Sequence, residues 1–292
     1  MARFIDNLAE VSDSYSALFC DLWGCVHDGV APFPEAVAAL TEYRKGGGIV
    51  VLLTNAPRHR ASVERHLTRM GLPRDCWDVI VSSGDSARAA MYRGVVGQKV
   101  WFMGARHDLS FFDPIQVVKD PVAIEQVDLE EAEGIVCCGP FDAFAPPEDL
   151  RPQLLYAKQK GLKLLCANPD IVVDRGGKRE YCAGAIAALY TEMGGESLYF
   201  GKPHPPIYDL ARVRLAALGR DIPNGQILAI GDGITTDIAG AIGEDIDSLF
   251  LTAGLAAKET GTPVGGDPDP EATKAFFARH MREPTYVTAR LR

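Results

Sequence analysis

The chain has 292 residues, enough for one large domain or two modest ones with a buried core. Hydrophobic residues make up 47% and charged residues 24%, as in ordinary globular proteins. The formal charge of -9 excludes a basic nucleic-acid footprint, and an anionic substrate would need locally placed cations or a metal.

In chain order, residues 1–11 carry early acids and no long apolar stretch, so no signal peptide is expected. Ala17–Leu22 reads as a buried strand, and Glu35–Lys45 as a helix opened by Pro34 and stopped by Gly46–Gly48. Gly48–Leu53 is a strand of continuous aliphatic residues, which suits a sheet covered on both faces. Arg58–Met70 is helical and ends at Gly71, and Val79–Ser82 is a third strand. A middle block follows, with strands over Lys99–Met103, Gly134–Cys138 and Lys163–Ala167 and a helix over Pro147–Lys160. The last block holds the strand Leu198–Phe200, the helix Pro206–Leu218, the strand Gln226–Ile230, the helix Thr235–Ile242 and the strand Ile246–Leu251. After a Gly-, Pro- and Asp-rich loop over Thr262–Pro270 come a final helix and strand. No apolar run is long enough to span a bilayer. The seven cysteines form no CxxC pair, and Cys20, Cys25, Cys137, Cys138, Cys166 and Cys182 lie mostly in apolar runs. That usage fits a reducing cytoplasm.

Strands alternating with helices imply an α/β fold with a parallel, doubly wound sheet. The expected organisation is a discontinuous core over residues 1–83 and 181–292, interrupted by an inserted α/β cap over residues 84–180. In such a sheet ligands sit beyond the carboxyl ends of the strands. The residues standing there are Asp21 and Trp23, Thr54 and Asn55, Lys202, and Asp232 with Asp237. Taken singly, either late aspartate reads as a helix N-cap, Thr54-Asn55 as a turn and Lys202 as a solvated lysine before Pro203. Four such strand ends in this order read as a catalytic constellation. His27, His59 and His204 fall near them and read as surface or structural residues. Arg58 reads equally as a substrate contact and as a surface residue at a helix start.

The segments Asp21-Leu-Trp-Gly-Cys-Val, Leu53-Thr-Asn, Gly201-Lys-Pro-His-Pro and Ile230-Gly-Asp-Gly-Ile-Thr-Thr-Asp resemble the four motifs of the haloacid dehalogenase (HAD) superfamily. The cap between the second and third motifs, with Ala167-Asn-Pro-Asp170 and Gly184-Ala-Ile before Gly201-Lys-Pro, is similar to class IIA, the NagD and nitrophenyl-phosphatase group. The resemblance implies a phosphatase in which Asp21 is the nucleophile. It also implies that Asp21, Asp232 and the backbone carbonyl of Trp23 hold Mg2+, with Asp237 orienting the site from behind. Lys202 would supply a fixed positive charge, and Thr54 and Asn55 would bind phosphoryl oxygens. Asp170, Asn168, Asp142 and the charged turn Arg175 to Arg179 would offer cap contacts to a small phosphorylated substrate, and copies of the chain would associate as a homodimer through the cap.

Trp23 departs from the pattern, because most relatives carry there an aspartate that protonates the leaving group. Indole N–H is a donor with no pKa near neutrality. General acid–base catalysis is typically worth ~10²–10⁴-fold. Trp23 therefore leaves several readings open. The substrate has a good leaving group; another group such as His27 or Asp28 substitutes; or the protein binds phosphate or metabolite with little turnover. Carbon–halogen cleavage needs no proton donor, but it does not need the metal ligand Asp232 either.

Overall fold

The computed structural model describes residues 2–114, 118–175 and 178–292. Turn and cap chemistry sets its element boundaries. A short strand β1 (Arg3–Phe4) precedes β2 (Ala17–Cys20), and Pro34 at the first turn opens α1 (Pro34–Lys45). Next come β3 (Ile49–Thr54) and α2 (Arg60–Met70), which stops at Gly71 in the left-handed region, φ 86°. After β4 (Val79–Ser82) the Ser82 hydroxyl accepts the Asp85 N–H and caps α3 (Ser83–Met91). The run then continues through β5 (Lys99–Met103), a helical turn over Arg106–Phe112, β6 (Glu125–Gln126), β7 (Gly134–Cys137), α4 (Arg151–Gln159) and β8 (Lys163–Cys166). It passes β9 (Val172–Arg175), β10 (Lys178–Tyr181), α5 (Ala183–Glu192), β11 (Glu196–Tyr199) and α6 (Pro205–Ala217). The chain closes with β12 (Ile227–Gly231), α7 (Ala239–Gly243), β13 (Asp247–Leu251), α8 (Pro270–His280) and β14 (Tyr286–Thr288).

The chain divides into two units, one of residues 1–54, 64–81 and 208–292, the other of residues 55–63 and 82–207. The first holds a seven-stranded sheet in the order β1-β14-β13-β12-β2-β3-β4. Every residue of β2, β3 and β12 is buried, as expected of parallel strands covered on both faces. From β2 the chain winds one way to β3 and β4; it later returns to place β12, β13 and β14 on the other side. The winding therefore reverses between β2 and β12, where a doubly wound sheet opens its crevice.

The second unit holds a five-stranded sheet, β11-β8-β7-β5-β6, all parallel, and a β9–β10 hairpin. Alternate residues of one strand serve opposite cores. Met103, Ile135, Cys137, Leu164 and Cys166 pack with Leu154 of α4 and Ile186 of α5. Val100, Val136, Cys138 and Leu165 pack with Ala87 and Met91 of α3 and with Phe111. Of the strand Leu198–Phe200, assigned from sequence to the core block, Leu198 and Tyr199 fall in β11, which pairs instead with β8 in this second sheet. An apolar strand looks the same whichever sheet it joins; the choice is made by α5, whose crossover returns β11 beside β8.

Three further differences have local causes. The expected helix Thr235–Ile242 begins as a wide π-helical turn, Ile234–Ile238, in which Gly233 O accepts from both Asp237 N and Ile238 N. Helices α3 and α5 are not read from sequence because their alanine- and glycine-rich faces are buried almost all round and show no apolar stripe. Part of the charged turn expected over Arg175 to Arg179 lies outside the described residues. All seven cysteines are free thiols and buried. Among the described residues no helix is long and apolar enough to cross a membrane.

Candidate active site

The first group of residues stands at the β2/β12 switch. Asp21 follows β2 and continues its ladder, donating its N–H to Ile230 O at 2.8 Å. Asp232 follows β12, and one oxygen from each of Asp21 and Asp232 lies within 4.8 Å of the other and of Cys25 Sγ. The Cys25 thiol is fully buried and pushed well up, first by desolvation and then by the charges of Asp232 and Asp21, so it stays protonated. Two carboxylates without an opposing thiolate form a hard, oxygen-based donor set that suits Mg2+.

Two glycines make this seat possible. A Cβ on Gly24 would lie 2.3 Å from Asp232 Oδ2, and one on Gly254 2.0 Å from the same atom. Gly24 also turns at φ 75°, and Leu255 N–H donates to Asp232 Oδ2 at 3.0 Å. Asp232 is thus held by backbone from two loops, after β2 and after β13. Asp237 folds back on its own turn and accepts Gly233 N–H at 3.1 Å. A Cβ on Gly231 would strike its carboxyl carbon at 2.1 Å. This contact is the geometric content of Gly-Asp-Gly: the glycines admit the Asp237 carboxylate against the main chain. Thr54, the last residue of β3, is buried.

Trp23 is half-buried and lies edge-on to His27, ring centroids 5.2 Å apart. Gly29, at φ 87°, leaves room for the indole, since a Cβ there would meet Trp23 Cζ2 at 2.4 Å. His27 is buried, accepts Gly29 N–H on Nδ1 at 3.0 Å, and has its pKa lowered to about 4, mainly by desolvation and then by His66. Asp28 spends Oδ1 on the N–H groups of Val30 and Ala31, at 2.8 Å each, and these bonds lower its pKa. A neutral buried imidazole therefore lies against the tryptophan, and the carboxylate that follows it in sequence is committed to its own turn.

The second group belongs to the other unit and centres on Asn55. Its Nδ2 donates to Asp170 Oδ1 at 2.8 Å and to Lys202 O at 3.0 Å, while its Oδ1 accepts Lys202 N–H at 2.7 Å. Both amide hydrogens assigned from sequence to phosphate are thus committed within the protein. Asn55 instead holds Lys202, which is only 2% exposed, and half-buried Asp170 in register with the second motif. Gly201 and Gly184 permit the approach. A Cβ on Gly201 would lie 2.4 Å from Asn55 Oδ1, and one on Gly184 2.1 Å from Pro169 O. The Ser83 hydroxyl at the start of α3 donates to Asn55 O at 2.7 Å.

Arg58 is anchored as well. Ser82 Oγ donates to its carbonyl at 2.6 Å, and its Nε lies 3.7 Å from Asp108 Oδ1. The imidazole of His59 stands 3.7 Å from Asp85 Oδ1, and His204 stacks on Tyr199 at 4.7 Å. Asn168 Oδ1 accepts Asp170 N–H at 3.0 Å. Asp142 is exposed and turns its loop by accepting Phe144 N–H at 2.9 Å. Sequence reasoning did not single out Cys25 as a neighbour of the paired carboxylates, the Gly254-Leu255 turn that seats Asp232, or Asp108. Of these only the turn had a sequence signal, a Thr-Ala-Gly-Leu run directly after an apolar strand.

A haloacid dehalogenase-like hydrolase model matches residues 18–117, and a second, HAD-hydrolase-like, matches residues 199–288. A crystallised haloacid dehalogenase-like hydrolase from Brucella suis is 35% identical, with a TM-score of 0.85 over 99% of this chain and 100% of that one. The D-glycerol 3-phosphate phosphatase of Mycobacterium tuberculosis is 24% identical over 290 residues, 98% of this chain and 72% of that protein. A magnesium complex of glycerol phosphate phosphatase from the same organism, also 24% identical, covers 95% of this chain and 76% of its own with a TM-score of 0.66. The four motifs at the strand ends, the two matching models and the Brucella likeness along the whole chain agree: this chain belongs to the haloacid dehalogenase-like hydrolases.

Proposed function

We propose that this chain is a Mg2+-dependent phosphatase of small phosphorylated metabolites, of the sugar- or aryl-phosphate class, with Asp21 as nucleophile. The observation that carries the reading is the paired seat of Asp21 and Asp232 at the switch between β2 and β12. The carboxylates of Asp21 and Asp232, with the Trp23 carbonyl, would hold the ion, which when bound screens the nucleophile from the phosphate dianion and polarises the phosphoryl oxygens. The Asp21 carboxylate attacks phosphorus, the bond to the leaving oxygen breaks, and an aspartyl-phosphate forms. Water then attacks phosphorus, the bond to Asp21 breaks and phosphate leaves; the proton the water gives up to solvent matches the one the departed oxygen takes from it, and Asp21 is restored. The Thr54 hydroxyl would donate to a phosphoryl oxygen and the Lys202 ammonium would offset phosphoryl charge, while Asn55 keeps the Lys202 segment in place.

The test is turnover of an aryl phosphate and of glycerol phosphate by purified protein with Mg2+. Activity should vanish with EDTA and fall by more than about 10³-fold in Asp21→Asn. Unchanged activity in Asp21→Asn would refute the mechanism.

Trp23 and its neighbours favour a second reading, a phosphate- or metabolite-binding protein with little turnover. His27 is held neutral and Asp28 is committed to its turn, so neither stands ready as the missing acid. Binding of metabolites without hydrolysis across the substrate set would support it.

A further inference from the structure

Arg58 follows the second motif by three residues, and its main chain is clamped to the start of α3. A Cβ on Gly84 would lie 2.3 Å from Arg58 N, Gly84 N–H donates to Ala56 O at 3.1 Å, and Ser82 Oγ holds the Arg58 carbonyl. The side chain keeps 26% of its surface exposed. Its Nε end is turned towards Asp108, a carboxylate only 5% exposed, on the helical turn Arg106–Phe112.

Asp108 is an expensive residue to keep where it is. Its Oδ2 accepts Ala105 N–H at 3.2 Å, but Oδ1 is buried and has no hydrogen-bond partner among the described residues. Arg58 Nε at 3.7 Å and His107 Nε2 at 3.4 Å are the groups that balance its charge. Burial raises its carboxyl, and the charges of His107 and Arg58 act against that rise. His107 is mostly exposed, so Arg58 is the better-ordered counter-charge. Phe111, buried in the core beneath, anchors the turn that presents Asp108. This turn leaves β5, the strand at which the five-stranded sheet reverses its winding: β6 lies on one side, and β7, β8 and β11 on the other. The carboxyl end of such a strand is where a parallel sheet places ligand contacts. A buried carboxylate without a full set of hydrogen bonds is retained at a cost in stability, which points to a task other than packing.

We propose that Asp108 is a positioning residue: it holds the Arg58 guanidinium by its Nε edge and presents the remaining N–H donors to an oxyanion of the substrate, the phosphate or a second acidic group beside it. The inference rests on the reading of this chain as a protein for phosphorylated substrates and adds to it a selector for substrate charge. Orienting a fork-shaped cation from its rear edge leaves its bidentate face for the anion.

The experiment measures binding of inorganic phosphate to the full-length protein by calorimetry, and KM and kcat with an aryl phosphate, for wild type, Arg58→Ala, Asp108→Asn, Asp108→Glu and Arg58→Ala/Asp108→Asn. Circular dichroism and thermal unfolding verify that each variant is folded. Arg58→Ala and Asp108→Asn are each expected to weaken phosphate binding and raise KM by about tenfold with little change in kcat. The double variant should be no worse than Arg58→Ala alone, because Asp108 acts through Arg58. Asp108→Glu should restore part of the loss. A purely structural Asp108 would lower the unfolding temperature while leaving KM unmoved, or would add its penalty to that of Arg58→Ala; either result overturns the proposal. Wild-type affinity for phosphate in Asp108→Asn, or no phosphate binding by wild type, overturns it too. Phosphate binding that depends on Asp108 in a protein that hydrolyses nothing would sustain this inference while removing the phosphatase reading.

Discussion

The two clusters that carry the motifs are built by opposite means. In the first unit, Asp21 and Asp232 bring like charges together, and glycines let main chain close around them. In the second, Asn55 reaches 147 residues along the chain and joins Lys202 through two hydrogen bonds, so a cation is positioned by an amide strut. Like charges held in one place raise the energy of the protein until a cation arrives, whereas the Asn55–Lys202 link is satisfied within the protein itself. The first cluster is therefore the one expected to respond to metal, and the second the one expected to keep its geometry without it.

The largest effect expected from breaking that contrast lies at Trp23. Restoring a carboxylic acid with Trp23→Asp should raise kcat on poor leaving groups by ~10²-fold, with little change on nitrophenyl phosphate. Equal gains on both substrates would show that the indole limits access and not proton transfer.

His27 sharpens the contrast through pH. Its pKa is lowered from 6.5 to about 4 in the folded protein, so the unfolded chain takes up a proton first as pH falls. The stability contributed by neutral His27 is complete above about pH 6.5 and is lost as pH drops towards 4, on the order of 3 kcal/mol in total. Urea unfolding at pH 7, 5.5 and 4.5 should show a steeper decline for wild type than for His27→Gln. Parallel declines would mean that the imidazole is not held neutral.

A smaller pair of effects separates the two clusters directly. Gly254→Ala places a methyl against Asp232 Oδ2, and Gly201→Ala places one against Asn55 Oδ1. Each should cost ~1–3 kcal/mol of stability, read from denaturant midpoints. Gly254→Ala should raise the Mg2+ concentration needed for half-maximal activity by about tenfold, while Gly201→Ala should raise KM and leave the Mg2+ requirement alone. Identical responses in the two variants would abolish the distinction.

How far the sequence could be read depended on how local each determinant is. Helix α1 was legible because Pro34 and Gly46 punctuate it, and β4 because it is a short apolar run between turn signals. Asp21 and Asp232 were legible because each follows an apolar strand at once, where a doubly wound sheet exposes its strand ends, and Lys202 and Asp237 because they stand within a few residues of such an end. Helix α5 was hidden because seven of its ten residues are buried, leaving no polar face to mark the period. Asp108 was hidden because nothing in Ala105-Arg-His-Asp-Leu distinguishes a buried carboxylate from a solvated one.

By itself, then, the sequence determined the α/β alternation, the order of the four motifs and the presence of a tryptophan, Trp23, two residues after Asp21. These are carried by side-chain chemistry within a few residues of each strand. Only the tertiary structure decided which sheet β11 joins, that Asn55 spends its amide on Lys202 and Asp170, that Gly254 seats Asp232, and that Asp108 stands behind Arg58. Each of those joins residues at least 22 positions apart, and contact at that range is set by how strands and loops pack.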